Sequence, residues 1–230
     1  MTTSTALLFV LILTQATSDR PAVLESVYSA QPLALDPDPR LEVWTKASPV
    51  IVGRDYLARP IQGTPMEVRS RWTKQDLYLL YSCPYDRLNL KPDPNLSAET
   101  PRLWNWDVAE AFIGSDFDNI GRYKEFQVSP QGEWVDLAID RSNPKGQEGR
   151  RWDSSFSVKT RVDPRARFWY GLMRIPFSAI DTRPPEPGLE LRVGLYRIAG
   201  VAPSKQHYAW QPTGQTTFHV PQAFGTLRLR

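Results

Sequence analysis

The feature that most constrains this chain is a succession of short segments in which apolar and polar residues alternate, each closed by a turn signal. None is long enough to carry a helical stripe. Met66 to Trp72 alternates, Thr73-Lys74-Gln75-Asp76 interrupts it, and Leu77 to Cys83 continues. Tyr123 to Val128 and Glu133 to Ile139 flank Ser129-Pro130-Gln131-Gly132. Phe156 to Val162 and Arg167 to Ile175 flank Asp163-Pro164-Arg165-Ala166. Period two sends successive side chains to opposite faces of a strand, and Pro, Gly and Asp at these positions close hairpins. Leu191, Val193 and Leu195 mark a further strand, and Thr226 to Arg230 another. The 21 prolines fall between the apolar segments, as irregular loops between strands require. The pattern predicts an all-β chain, an antiparallel β-sandwich of jelly-roll type. Trp72, Leu79, Phe126, Leu137, Phe156, Ile175, Val193 and Phe224 are expected in its core.

The N-terminus reads as a secretion signal over residues 1–18. Ala6 to Leu13 is an apolar run, with small residues for a signal peptidase at Ala16 and Ser18. The run is too short to span a bilayer as a helix. Secreted or periplasmic placement follows as an expectation, with no membrane anchor. Residues 19–40 read as a Pro- and Asp-containing extension and residues 41–230 as one domain, expected to be a monomer. A single cysteine, Cys83, leaves no intramolecular disulfide and no Cys-based metal cluster. Net charge is +3 with acids and bases interspersed, which argues against nucleic acid as a partner.

Chemistry concentrates in Trp104-Asn105-Trp106-Asp107-Val108-Ala109-Glu110-Ala111-Phe112 and in Phe218-His219-Val220-Pro221-Gln222-Ala223-Phe224-Gly225. Aromatic plates beside carboxylates suit a sugar ring, whose axial C–H groups lie on aromatic faces while hydroxyls donate to carboxylates. Glu110 shares strand parity with Val108 and Phe112, and Arg197 continues the parity of Leu191, Val193 and Leu195. Two charges on apolar faces suggest an ion pair closing one end of the sandwich, or two groups that fix hydroxyls. Asp107, Asp116 and Asp118 with Asn119 offer oxygen ligands that make calcium possible, without the strict EF-hand spacing. His207 and His219 read as structural.

From about Leu33 to Arg230 the chain resembles the family 9 carbohydrate-binding modules, in particular their secreted, family 9-like branch. The resemblance rests on an ordered set: Leu35-Asp36 with Trp44 and Ala47, Glu67-Val68-Arg69 through Trp72, Leu77-Tyr78, and Trp104 through Phe112. Then follow Tyr123-Lys124-Glu125-Phe126 with Pro130 and Gly132, Arg174-Ile175-Pro176-Phe177, Tyr196-Arg197, Ala209-Trp210, and Phe218 through Pro221 with Phe224-Gly225. It implies a jelly-roll-like sandwich that holds a carbohydrate between two aromatic plates, non-catalytic and associated with polysaccharide breakdown. The plates fall on Trp104 and Phe218, the second being Trp in the best-understood members. The polar contacts fall on Glu110 and on Gln127, where an Arg is familiar. Some members bind structural calcium.

Two other functions fit parts of the chain. Paired carboxylates could serve a glycoside hydrolase, although beside a module of this size no room remains for a catalytic domain. Related sandwiches carry haem, for which Met66, Met173, His207 and His219 are the Met and His candidates.

Overall fold

A computed structural model describes residues 22–143 and 150–230. The expected secretion signal, residues 1–18, lies outside the described residues. The strands are β1 (Val23–Tyr28), β2 (Val50–Val52), β3 (Met66–Trp72), β4 (Asp76–Pro84), β5 (Val108–Gly114), β6 (Arg122–Val128) and β7 (Trp134–Asp140). They continue with β8 (Arg150–Arg151), β9 (Ser157–Asp163), β10 (Phe168–Pro176), β11 (Glu190–Ala199), β12 (Gln206–Ala209) and β13 (Gly225–Leu229). Two single-turn α-helices, α1 (Glu42–Thr45) and α2 (Phe177–Ile180), and 3₁₀ turns at Leu103–Asn105 and Pro221–Ala223 accompany the strands.

The strands hydrogen-bond in the order β8-β7-β6-β5-β11-β13-β1-β3-β4-β10-β9, with β12 on β11 and β2 on β3. The long sheet doubles over. Tyr81 Oη of β4 donates to the Glu110 carbonyl of β5 at 2.9 Å, although these strands lie far apart in sheet order. Between the two layers sits the main core, which includes Leu24, Val68, Leu79, Tyr81, Ala111, Phe126, Trp169, Val193 and Leu195. The molecule is thus the all-β sandwich that the alternating pattern predicts, and every residue expected in the core is buried.

The expected hairpins form, and local side chains hold their turns. Thr73 Oγ1 accepts from the N–H groups of Gln75 and Asp76 between β3 and β4. Asp163 Oδ1 accepts from those of Arg165 and Ala166 between β9 and β10. Gly132 takes φ +94° between β6 and β7, a conformation that costs glycine little.

One strand departs from the antiparallel expectation. β1 lies within the stretch read as an extension, yet it runs parallel between β13 and β3, pairing Val23 with Thr226 and Ser26 with Ser70. The sandwich therefore takes in residues well before position 41. Leu24 and Ser26 point inward, and Ser70 Oγ donates to Ser26 Oγ at 2.8 Å.

Gly225, which opens β13, is close-packed. A Cβ there would lie 2.6 Å from Trp210 Cζ3 and 2.8 Å from the Ala22 carbonyl oxygen. Overpacking of this kind costs about 1–3 kcal/mol. Gly225→Ala should therefore lower the melting temperature by roughly 2–12 °C. An unchanged thermal melt would mean that Trp210 yields freely.

β5 and β11 are covered on both faces. Ala109, Ala111 and Ile113 enter the main core, whereas Val108 and Phe112 enter a second cluster with Tyr123, Leu137, Tyr196, Phe218 and Phe224. Glu110 lies between Val108 and Phe112 on that second face.

Candidate functional site

The second face carries a cavity of about 390 Å³. Its floor is built by strand register. Glu110 pairs with Gln127 and Phe112 with Glu125 across β5 and β6, and Leu137 follows from β7. Ile198 of β11 and His207 of β12 form one side, again as a register pair. The rim comes from loops: Tyr56, Trp104 on a single 3₁₀ turn over Leu103–Asn105, and Thr216 to His219.

The walls are aromatic. Phe218 stacks on Tyr196 at 4.3 Å and 11°, with Tyr56 edge-on to it at 6.0 Å. His219 stacks on Phe112 at 5.0 Å, and its Nδ1 shares a hydrogen bond of 2.7 Å with Tyr123 Oη. Trp104 is half-buried, and its carbonyl accepts from Lys205 Nζ at 3.2 Å.

The floor is polar and incompletely satisfied. Gln127 Nε2 donates to Glu125 Oε1. Glu110 Oε1, Glu125 Oε2 and Gln127 Oε1 are buried with no hydrogen-bond partner. Burial pushes the Glu125 carboxyl up, against the opposing hydrogen bond from Gln127. Burial, then repulsion from Glu125, raises Glu110 well above the usual carboxylate range. His219 Nε2 stands 4.0 Å from Glu125 Oε2, but burial holds this imidazole down to about 4, so it is neutral at neutral pH. Burial, then Lys205, lowers His207 as well.

Four of the five site residues picked from the sequence therefore line one cavity: Trp104, Glu110, Gln127 and Phe218. Arg197 does not. Its register partner is Ala109, so its side chain leaves β11 on the main-core face, opposite Glu110. The Glu110–Arg197 ion pair does not form. The parities assigned to the two strands are those observed; the correction is that they belong to opposite faces of the sheet.

Tyr56, Glu125, His207 and His219 line the cavity too and were not singled out for it. The available signal for Glu125 was its alternation with Tyr123 and Gln127, a carboxylate on an otherwise inward face. Asp107, Asp116 and Asp118 do not converge. Asp107 is buried and accepts the Gly200 N–H, whereas Asp116 Oδ1 closes a turn by accepting from Asp118 and Asn119. Among the described residues, no group of three or more His, Cys, Asp or Glu side chains is placed to hold a metal ion. Met66 and Met173 are buried in the main core, so of the haem-ligand candidates only the two histidines reach the cavity.

Comparison with known proteins identifies the fold. No family model matches the chain. A curated relative from Arthroderma benhamiae, described as an extracellular protein, is 23% identical over 137 residues, 53% of this chain. The chain spans about 60% of that relative's length. Among solved structures, a family 9 carbohydrate-binding module from Caldicellulosiruptor kristjanssonii in complex with cellotriose aligns with TM-score 0.64 at 14% identity, over 91% of this chain and 94% of that one. Its complex with glucose aligns with TM-score 0.62 at 16% identity, over 90% and 95%. A protein from Bacteroides uniformis to which carbohydrate binding has been attributed aligns with TM-score 0.69 at 16% identity, over 91% and 100%. The chain has the fold of the family 9 carbohydrate-binding modules. No helix among the described residues is long and apolar enough to cross a membrane.

Proposed function

We propose that this chain is a secreted, non-catalytic carbohydrate-binding module that takes a neutral sugar into the cavity of Trp104 and Phe218. One observation carries the reading. Glu110, Glu125 and Gln127 line one cavity with aromatic walls, and each has a buried oxygen without a partner. A buried acceptor without a partner costs about 1–3 kcal/mol, so the site is built for a ligand rich in donors. Sugar hydroxyls supply such donors, and the apolar face of a pyranose fits an aromatic ring. With Gln127 in place of the Arg familiar in the family, no Lys or Arg side chain is among the lining residues. That composition favours an uncharged sugar over an acidic one. The glucose and cellotriose held by the solved modules make neutral glucans the first ligands to try.

Titration calorimetry with glucose, cellobiose and cellotriose tests the proposal. The expected dissociation constants lie between roughly 1 μM and 1 mM, or about −8 to −4 kcal/mol. A glycan array showing no neutral saccharide bound would refute it.

The two buried carboxyls favour glycoside hydrolysis as a second reading. Burial pushes both upward, Glu110 further than Glu125, as an acid and base pair would need. The solved neighbours that hold glucose and cellotriose, however, are binding modules and favour the first reading. Incubation with cellotriose should release no shorter sugar; release would establish the enzyme reading instead.

A further inference from the structure

The opposite face of β11 holds a second cavity, of about 590 Å³, where β4 ends, β10 begins and β11 runs out into the loop after Ala199. Arg197 reaches this one. Its side chain is 1% exposed, and neither Nε nor Nη1 has a hydrogen-bond partner. Two rings hold its guanidinium, Tyr208 at 5.0 Å and Trp169 behind it at 5.9 Å. Ring contacts of this kind engage the charge without consuming its N–H donors. A buried guanidinium left in that state is costly unless an anion completes it.

The charges around the cavity point the same way. Arg87 and Arg167 line it together with Arg197, against a single lining carboxylate, Asp86. Asp86 is already engaged by Arg167, whose Nη2 lies 3.1 Å from Asp86 Oδ1. Asp107, a buried acid that interacts electrostatically with Arg197, accepts the Gly200 N–H on Oδ1 and has no hydrogen-bond partner on Oδ2. It offsets part of the Arg197 charge without capping its free N–H groups, and it does not line the cavity. Tyr85, Phe168 and Tyr208 add aromatic wall. The two cavities thus differ in kind: one offers orphaned acceptors and no lining cation, the other orphaned cationic donors and a cationic rim.

We infer that the second cavity binds an acidic pyranose, a uronic acid unit, with its carboxylate on the Arg197 guanidinium and its ring against the aromatic wall. The planar fork of arginine matches a carboxylate through two parallel hydrogen bonds, which a hydroxyl cannot reproduce. A chain built in this way engages a neutral and an acidic sugar on opposite faces of one strand, as a mixed polysaccharide would present them.

The test is calorimetry on the full chain with galacturonate, with galactose as its uncharged counterpart and with inorganic sulfate as a bare anion. Galacturonate should bind at least about tenfold more tightly than galactose or sulfate. Its binding should survive Trp104→Ala, which disables only the neutral-sugar site. Arg197→Gln should abolish galacturonate binding and leave glucose binding intact. Should Arg197→Gln fail to fold, Arg87→Ala on the exposed rim serves instead, weakening galacturonate by about threefold to tenfold and reducing its salt dependence. Galacturonate no tighter than galactose, sulfate equal to galacturonate, or loss of galacturonate binding in Trp104→Ala would each overturn the inference. The last outcome would assign the acid to the first cavity. Failure of glucose to bind while galacturonate still did would count against the proposed function alone.

Discussion

Trp104→Ala is expected to remove measurable binding of a neutral sugar while leaving the fold almost as stable as before. A large side chain that buries apolar surface contributes about 1.5–3 kcal/mol, so losing one plate weakens affinity by roughly tenfold to more than a hundredfold. A millimolar or sub-millimolar ligand then drops out of range. Stability should barely change because the indole is half-buried on a short 3₁₀ turn. That turn is held through backbone groups, the Trp104 carbonyl accepting from Lys205 among them. The fully buried alternative makes a sharp contrast, since truncating a core aromatic costs about 3–5 kcal/mol. Phe218→Ala should show that larger penalty in part, its ring being 7% exposed and stacked on Tyr196. Calorimetry and a thermal melt of the two variants decide the matter. A Trp104→Ala protein that melts early, or that still binds, would remove Trp104 from the role of plate.

The second large effect concerns pH. The wild-type protein should lose thermal stability between about pH 6.5 and pH 8, and Glu125→Gln should flatten that loss. Burial raises Glu125 from 4.5 to about 7, so the folded chain holds this proton more tightly than the unfolded chain. The corresponding stability is fully present below 4.5 and disappears as pH rises through about 7. Glu110 acts in the same direction. His219 acts oppositely: lowered from 6.5 to about 4, it contributes stability above 6.5 that is lost as pH falls through about 4. The two trends offset each other between about 4.5 and 6.5. Above that window only the carboxyls remain, and stability falls.

At pH 8 the neutral amide should make Glu125→Gln more stable than wild type by about 1–3 kcal/mol, an order-of-magnitude figure. Glu110, raised by burial well above the usual carboxylate range, leaves the variant a shallower slope of the same sign. Melts of both proteins across this range would show parallel curves if Glu125 were not the titrating group.

Legibility in the sequence tracks how local the determining interaction is. The hairpins β3–β4 and β9–β10 could be read because Thr73 and Asp163 bond within their own turns. β1 could not, because the partners of its six residues lie in β13 and β3, both remote in sequence. At the site, Trp104, Glu110, Gln127 and Phe218 came from the family resemblance, and the parity of β5 correctly put Glu110 with Phe112. Arg197 shows where parity stops. Alternation separates the two faces of one strand, but only the pairing of Tyr196 with Glu110 tells which face of β11 continues which face of β5. His207 and Tyr56 reach the cavity from a short strand and an irregular loop, where no period exists to read.

The parallel seam at β1 has a consequence for how the molecule comes into being. Val23 meets Thr226 across more than two hundred residues of chain, so the sheet cannot be joined until β13 is available. Contacts of such long separation are slow to form, because loop-closure entropy is lost before they contribute. Until then β1 and β11 present unpaired edges, the kind of surface that recruits other strands. A nascent chain that emerged in order would remain an open, adhesive sheet through the making of all twelve earlier strands. It would become a finished sandwich only when its closing strand arrived.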